Sequence, residues 1–192
     1  LHLCSHNLET IDTTSTASDT LLAEVCYAAK FEAQSLIRDH PQYKLTYGDS
    51  QICTELARSF ADIGDIVRGR DLFYGNPQEK EKREDLEKNL KKYFQQIHSD
   101  VMSTSGKQNG ELKTRYNGDG PEFFKLREDW WTANRHTVWE AITCDAAVGN
   151  RYFRATCGSG KTGTLTPSQC RCDGKNAHQV PTYFDYVPQY LR

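Results

Sequence analysis

Four stretches of the chain repeat apolar residues every three or four positions, which is the spacing of an amphipathic helix. They run over about 20–39, 50–67, 77–101 and 121–144. Each presents an apolar stripe to a core and a polar face to solvent. We expect Pro41 to end the first helix, because proline lacks the N–H group that the helix needs.

The third stretch has the clearest start signal. Asn76 is a good N-cap residue, and Pro77 occupies the first helical position. Glu79 stands where a capping box places a carboxylate. These three residues predict a helix that begins at position 77.

The fourth stretch carries apolar residues on two sides, which is typical of a helix at the centre of a bundle. Its tryptophans are predicted to be core anchors, because large aromatic side chains bury the most area: Trp130, Trp131 and Trp139. Residues 145–192 show no regular pattern. We therefore predict an all-α helical bundle with long, irregular, cysteine-containing loops.

Composition narrows the class of protein. The 192 residues suit one domain, and the formal net charge of -2 provides no overall attraction to nucleic acid. No stretch approaches the roughly 20 apolar residues of a transmembrane helix. The chain starts and stops abruptly, so we expect it to be part of a longer polypeptide.

Cysteine usage indicates an oxidising compartment. Four of the seven cysteines lie within 144–172, a region with little apolar surface to bury. Such loops are commonly stabilised by disulfides, which persist outside the cytosol. At most six cysteines can pair within the chain, and Cys4 is our candidate for the unpaired one. The disulfide candidates are Cys4, Cys26, Cys53, Cys144, Cys157, Cys170 and Cys172.

Motifs for other chemistry are incomplete. Residues 158–162 read Gly-Ser-Gly-Lys-Thr, but a phosphate-binding loop needs glycine where Ala155 stands. The Cys-x-Cys spacing at 170–172 is a poor match to structural zinc sites. Neither the G-x-S-x-G nor the H-E-x-x-H motif occurs. We predict no cofactor, no metal and no enzymatic activity.

Four long blocks point to a family. They are LAEVCYAAK at 22–30, ARSFADIGDIVRGRDL at 57–72, LREDWWTANR at 126–135 and VPTYFDYVPQYLR at 180–192. In sequence and order these blocks resemble the Duffy-binding-like alpha domain of the malaria parasite's variant erythrocyte membrane protein family, the erythrocyte membrane protein 1 of Plasmodium falciparum.

The resemblance implies an adhesion module on the extracellular face of the infected erythrocyte membrane, within a membrane-anchored protein. Members of this family bind erythrocyte or endothelial receptors, heparan sulfate and blood-group glycans in rosetting and cytoadherence. They vary antigenically and meet host antibodies. The alternative is a structural spacer domain with no direct ligand.

The resemblance also implies a Duffy-binding-like fold of three subdomains. Residues 1–192 would form a partial domain that contains most of subdomain one and subdomain two. The N-terminal segment and subdomain three would be absent, so part of a receptor site would be missing.

Any glycosaminoglycan binding needs a local cluster of cations, because the net charge is negative. The candidates are Arg68, Arg70, Lys88, Lys91 and Lys92. The three lysines are three and four positions apart and are expected to project from one side of the third helix. A solvated helix face with no ligand is the alternative interpretation.

Two further expectations concern contacts. The loops at 103–120 and 158–169 are the better candidates for receptor or antibody contact, because binding residues concentrate in loops. Charged residues inside the family blocks are expected to form ion pairs that hold helices together: Asp62, Asp65, Arg68 and Asp129.

Overall fold

The structure, a computed structural model, describes residues 16–72, 75–104, 109–158 and 162–192. Its five α-helices within these ranges are α1 (Ala17–Thr46), α2 (Ile52–Arg68), α3 (Pro77–Ser103), α4 (Asn109–Tyr116) and α5 (Phe124–Ile142). Short 3₁₀ helices cover Gly174–Asn176, Phe184–Tyr186 and Gln189–Leu191. No strand is formed in the described part of the chain, so the predicted all-α class is confirmed.

Helix α1 is longer than predicted at both ends. Thr16 caps it with a capping box, in which its side chain accepts from the Asp19 N–H and the Asp19 carboxylate accepts from the Thr16 N–H. The prediction that Pro41 ends the helix is wrong. Proline removes one main-chain donor only, and the next turn continues to Thr46. The rings of Tyr43 and Tyr47 stack there at 4.6 Å.

Helix α2 ends as a glycine-capped helix does. Gly69 adopts a left-handed conformation with φ 71°, and its N–H donates to Ile66 O. The Arg70 N–H donates to Asp65 O at 2.8 Å. Together these bonds satisfy carbonyls of the last turn.

Helix α3 confirms its predicted start. The Asn76 side chain accepts from the Glu79 N–H at 2.9 Å, and the Glu79 carboxylate accepts from the Asn76 N–H at 3.1 Å. Pro77 is the first helical residue. The residues at positions 76–79 were therefore sufficient to predict where this helix begins.

The segment between α3 and α5 is more ordered than predicted. The expected loop 103–120 contains helix α4, and its residues 105–108 lie outside the described part. Helix α5 begins at Phe124 rather than at Pro121. Asp119 sets this start, because its carboxylate accepts from the N–H groups of Lys125 and Leu126 at 2.9 and 3.0 Å.

Helix α5 lies at the centre of the bundle and packs against α1 and α2. All three of its tryptophans are buried, as predicted. Trp131 and Trp139 both contact Phe60 of α2, with ring centroids 5.1 and 5.2 Å apart. Trp130 meets Phe94 of α3 edge-on at 6.0 Å. The tryptophans thus join α2 and α3 to α5.

The segment after α5 is irregular, as predicted, and covers one side of the bundle. The 3₁₀ helix Phe184–Tyr186 packs on α2. A Cys53–Cys170 disulfide ties the segment to α2, and a Cys157–Cys172 disulfide closes a loop within it. Cys144 is also disulfide-bonded.

One disulfide prediction needs correction. Cys26 carries a free thiol on the buried stripe of α1, while Cys53 pairs with Cys170 and Cys157 with Cys172. Burial first, and then the charge of Glu140, raise the pKa of this thiol to about 12. Cys4, our candidate for the unpaired cysteine, lies outside the described residues.

Candidate ligand-binding surface

Arg68 is not available to a ligand. Its side chain is 1% exposed, so its place among the candidate cations is wrong. Its Nε donates to Gly64 O at 2.9 Å and its Nη2 to Asp65 Oδ1 at 3.0 Å. It also donates to the main-chain carbonyl of Asp185. Burial of an arginine is tolerated only with such pairing, so this residue belongs to the scaffold.

Carboxylates neutralise three of the other candidate cations, of which Arg70 and Lys88 are exposed and Lys91 is partly buried. Arg70 pairs with Glu128 at 2.8 Å. Lys88 pairs with Asp85 at 3.1 Å, and Lys91 with Glu122 at 2.8 Å. A sulfate or carboxylate ligand would therefore compete with an existing partner at each position. Exposed pairs of this kind are weak, so the exchange is possible but the gain is small.

The predicted lysine cluster is split between two depressions. Lys88 and Lys91 line a groove of about 680 Å³ between the end of α2 and the first half of α3. Lys92 lines a separate depression between α1 and α3, beside Tyr93 and Glu24. The three positions span about 100° around the helix, an arc wide enough for the lysines to open onto two depressions rather than one.

The larger groove is mixed in charge. Its cations are Lys80, Arg83, Lys88 and Lys91, and its anions are Asp71, Glu84 and Glu87. Arg83 pairs with Asp71 across it. Leu86, which is 44% exposed, supplies an apolar wall. A groove with balanced charge does not select a polyanion.

The predicted ion pairs are present. Asp65 pairs with Arg68 and Arg192, and Asp62 pairs with Arg192 at 3.1 Å. Asp129 accepts from Arg115, which joins α5 to α4. The hydrogen bonds from Arg115 hold the pKa of Asp129 below its usual range. These residues are scaffold rather than ligand contacts.

Asp185 organises the contact between the C-terminal segment and α5. Its carboxylate is buried and accepts from the Trp131 indole N–H at 2.9 Å. Arg135 donates two hydrogen bonds to the same carboxylate, each 2.8 Å long. The donors satisfy the buried charge, so the block at 180–192 serves as an anchor.

Arg127 has a structural role that the sequence did not indicate. It is fully buried and donates to Val67 O at 2.7 Å and Ile66 O at 3.0 Å. It also forms a bidentate pair with Glu87 of α3, at 2.6 and 3.0 Å. One guanidinium therefore caps the end of α2 and links three helices. An arginine three positions before a tryptophan gives no pattern that predicts this.

An exposed surface around Phe153 was not identified from the sequence. Arg151 and Phe153 flank the buried Tyr152 and are exposed. The Arg154 guanidinium lies over the Phe153 ring, 5.1 Å from its centroid. The ring centroids of Phe153 and Phe184 are 6.3 Å apart. The residue before Phe184, Tyr183, is exposed. Arginine interleaved with aromatic residues on an irregular segment was the available signal.

The loop 158–169 remains a prediction as a contact site, and its residues 159–161 lie outside the described part. No group of three or more His, Cys, Asp or Glu residues in the described ranges is placed to hold a metal ion. Among the helices described, none is long and apolar enough to cross a membrane.

Comparison with known proteins relates this chain to a family. The Duffy binding domain family model matches residues 1–192. No match was found among curated proteins.

Solved structures are also similar. One is the N-terminal NTS-DBL1-alpha and CIDR-gamma double domain of PfEMP1 from the Plasmodium falciparum varO strain, with 40% identity and a TM-score of 0.67 over 99% of this chain and 25% of that one. The NTS-DBL1(alpha-1) domain of the same strain has 41% identity and a TM-score of 0.67, over 99% of this chain and 40% of that one.

A more distant structure is the DBLb domain of a PfEMP1 protein bound to human ICAM-1. It has 27% identity and a TM-score of 0.60, over 96% of this chain and 32% of that one. The chain therefore spans between a quarter and two fifths of the length of these structures.

Proposed function

The chain belongs to the Duffy binding domain family, and from this membership we propose that it is an extracellular adhesion module of a variant parasite surface antigen. The observation that carries the proposal is the match over the whole chain, together with a similar domain bound to human ICAM-1. The partner we propose is a receptor on host erythrocytes or endothelial cells. The location we propose is the outer face of the infected erythrocyte membrane.

The division of labour within the fold supports this proposal. The family blocks supply buried tryptophans, paired charges and helix caps, which are devices of a scaffold. Disulfides fix the irregular segment on that scaffold. A rigid core that presents irregular segments is the usual arrangement of a binding domain. The same scaffold would also serve a spacer, so binding itself must be measured.

A test of adhesion uses the folded chain, labelled with a fluorophore, on human erythrocytes and endothelial cells. We expect binding above that of the reduced and alkylated chain. Equal binding of the native and the reduced chain on both cell types would favour the spacer.

Sulfated and blood-group glycans are the second class of ligand that we propose, and rosetting is the activity that would follow. A sulfated ligand is supported by the exposed cations Arg70, Lys88 and Lys92 and by the partly buried Lys91. Because carboxylates neutralise three of them, we expect weak heparin retention that disappears near 0.15 M salt.

The glycan proposal is tested by changing Lys88, Lys91 and Lys92 to Glu and comparing elution from immobilised heparin. A variant that elutes at lower salt than the parent, with unchanged helicity, supports a contribution of these lysines. Unchanged elution would place any heparin site elsewhere.

A further inference from the structure

Charge is unevenly distributed along the chain. Residues 146–192 contain six Lys or Arg and two Asp or Glu, a net charge of +4. Residues 1–145 contain 18 and 24 respectively, a net charge of -6. One of the two acids, Asp185, is buried and paired with Arg135. Arg192 is likewise paired, with Asp62 and Asp65. Among the described residues of this segment, Arg151, Arg154 and Lys175 are exposed against one exposed acid, Asp173. The segment is thus locally basic on an acidic protein, and its field favours anionic groups within a Debye length.

Arg151 and Arg154 are the exposed arginines of this basic segment. Within the described residues, neither forms an ion pair with a carboxylate. They differ in this respect from Arg70, Lys88 and Lys91, each of which has an acidic partner. A ligand carboxylate would gain the whole interaction at these two arginines, without displacing another acid.

An exposed ring accompanies the two arginines: Phe153 lies between them in sequence, and the Arg154 guanidinium is 5.1 Å from its centroid. Phe153 is 45% exposed and Tyr183 is 54% exposed. Phe153 rests on Tyr152, with centroids 4.8 Å apart, and on Phe184. The ring is therefore held by Tyr152 and Phe184 and carries the Arg154 guanidinium, and nearly half of the residue still meets solvent.

The backbone beneath this surface is held in place. The Tyr152 N–H donates to Thr166 Oγ1 at 2.8 Å, and the Tyr152 hydroxyl bonds Thr182 Oγ1 at 3.0 Å. The Cys157–Cys172 disulfide closes the neighbouring loop. A surface that is already ordered loses little conformational entropy when it binds.

We infer that the Phe153 surface, defined as Arg151, Phe153, Arg154 and Tyr183, binds a protein partner through carboxylate groups on that partner. The inference rests on the proposed adhesive function and assigns it a surface and a partner chemistry. Tyrosine and arginine are enriched in the energetic centres of protein interfaces. Two arginines among exposed rings fit such a centre better than they fit a polysulfated chain, whose binding depends on a dense series of cations.

The experiment measures binding of the labelled chain to human erythrocytes and endothelial cells. One variant is Arg151→Glu with Arg154→Glu. Its control is Lys44→Glu with Lys82→Glu, which changes the net charge equally at exposed positions elsewhere. A second variant, Phe153→Ala, leaves charge unchanged, and its control is Phe31→Ala at a ring that is 64% exposed. Each cell type is tested untreated, after trypsin and after heparinase.

We expect both variants to lose at least about ten-fold in apparent affinity and both controls to keep it, with all melting midpoints near that of the parent. Trypsin should abolish binding and heparinase should not. If binding were lost after heparinase but kept after trypsin, the partner would be a sulfated glycan and not a protein. If both variants bound as tightly as the parent, the Phe153 surface would not be the binding site. A parent chain that binds neither cell type would instead refute the adhesive function on which this inference rests.

Discussion

Gly64 provides a sharp test of the packing at the centre of the bundle. It lies in the last turns of α2, where a change of glycine to alanine would ordinarily stabilise a helix by about 1 kcal/mol. Here a Cβ atom would stand 2.8 Å from Cζ2 and 2.9 Å from Cε2 of Trp131. Real Cβ contacts are longer than this, so the helix or the indole must move.

The indole has little freedom to move. Its N–H is bonded to the buried Asp185 carboxylate at 2.9 Å, and its ring packs on Phe60 at 5.1 Å. Overpacking a well-filled core costs about 1–3 kcal/mol, and a fixed neighbour favours the upper end. After the gain in helix propensity is subtracted, Gly64→Ala should destabilise the fold by about 2 kcal/mol.

The assay is urea unfolding under non-reducing conditions, followed by tryptophan fluorescence. Gly110→Ala is the matched control, because Gly110 lies in α4 with no atom within 4 Å of its ideal Cβ position. It should be neutral or stabilising. In a Trp131→Phe background the smaller ring should remove most of the cost of Gly64→Ala. A Gly64→Ala protein as stable as the parent would refute the close contact.

Further predictions concern the core, the free thiol and an ion pair. Trp131→Ala should lower the free energy of unfolding by about 3–5 kcal/mol, measured by the same urea titration; an unchanged midpoint would mean that the ring is exposed. Cys26, whose thiol pKa is raised to about 12 by burial, should resist iodoacetamide at pH 8 in the native chain and react in urea, as mass spectrometry would show. Because the folded pKa of Asp129 is depressed by Arg115, its contribution to stability is present above its unfolded pKa and is lost as pH falls. The stability difference between parent and Asp129→Asn at pH 7 should therefore shrink below about pH 4, and a constant difference would contradict the pairing.

Features set by neighbouring residues were predictable from the sequence. The capping box at Asn76 and Glu79 is one of these, because its partners are three residues apart. The burial of Trp131 followed from helical periodicity, which needs no knowledge of the partner helix. The same periodicity predicted the all-α class, and the family resemblance then supplied the Duffy-binding-like fold.

Features set by distant residues were not predictable in this way. Arg68 reads as an exposed cation at a helix end, yet Asp185, 117 positions later, buries it. The Cys53–Cys170 pairing spans the same sequence distance. The acids that neutralise Lys91 and Arg70 lie on other elements. Counting cations along the sequence therefore overstated the positive charge that the predicted lysine cluster offers to a ligand.

The most direct test of the account is the concentration dependence of binding of the folded chain to human erythrocytes and endothelial cells. The account predicts saturable binding to at least one cell type that is lost when the disulfides are reduced and alkylated. Binding that rises linearly on both cell types, and equally for the native and reduced chains, would contradict it and identify the domain as a spacer.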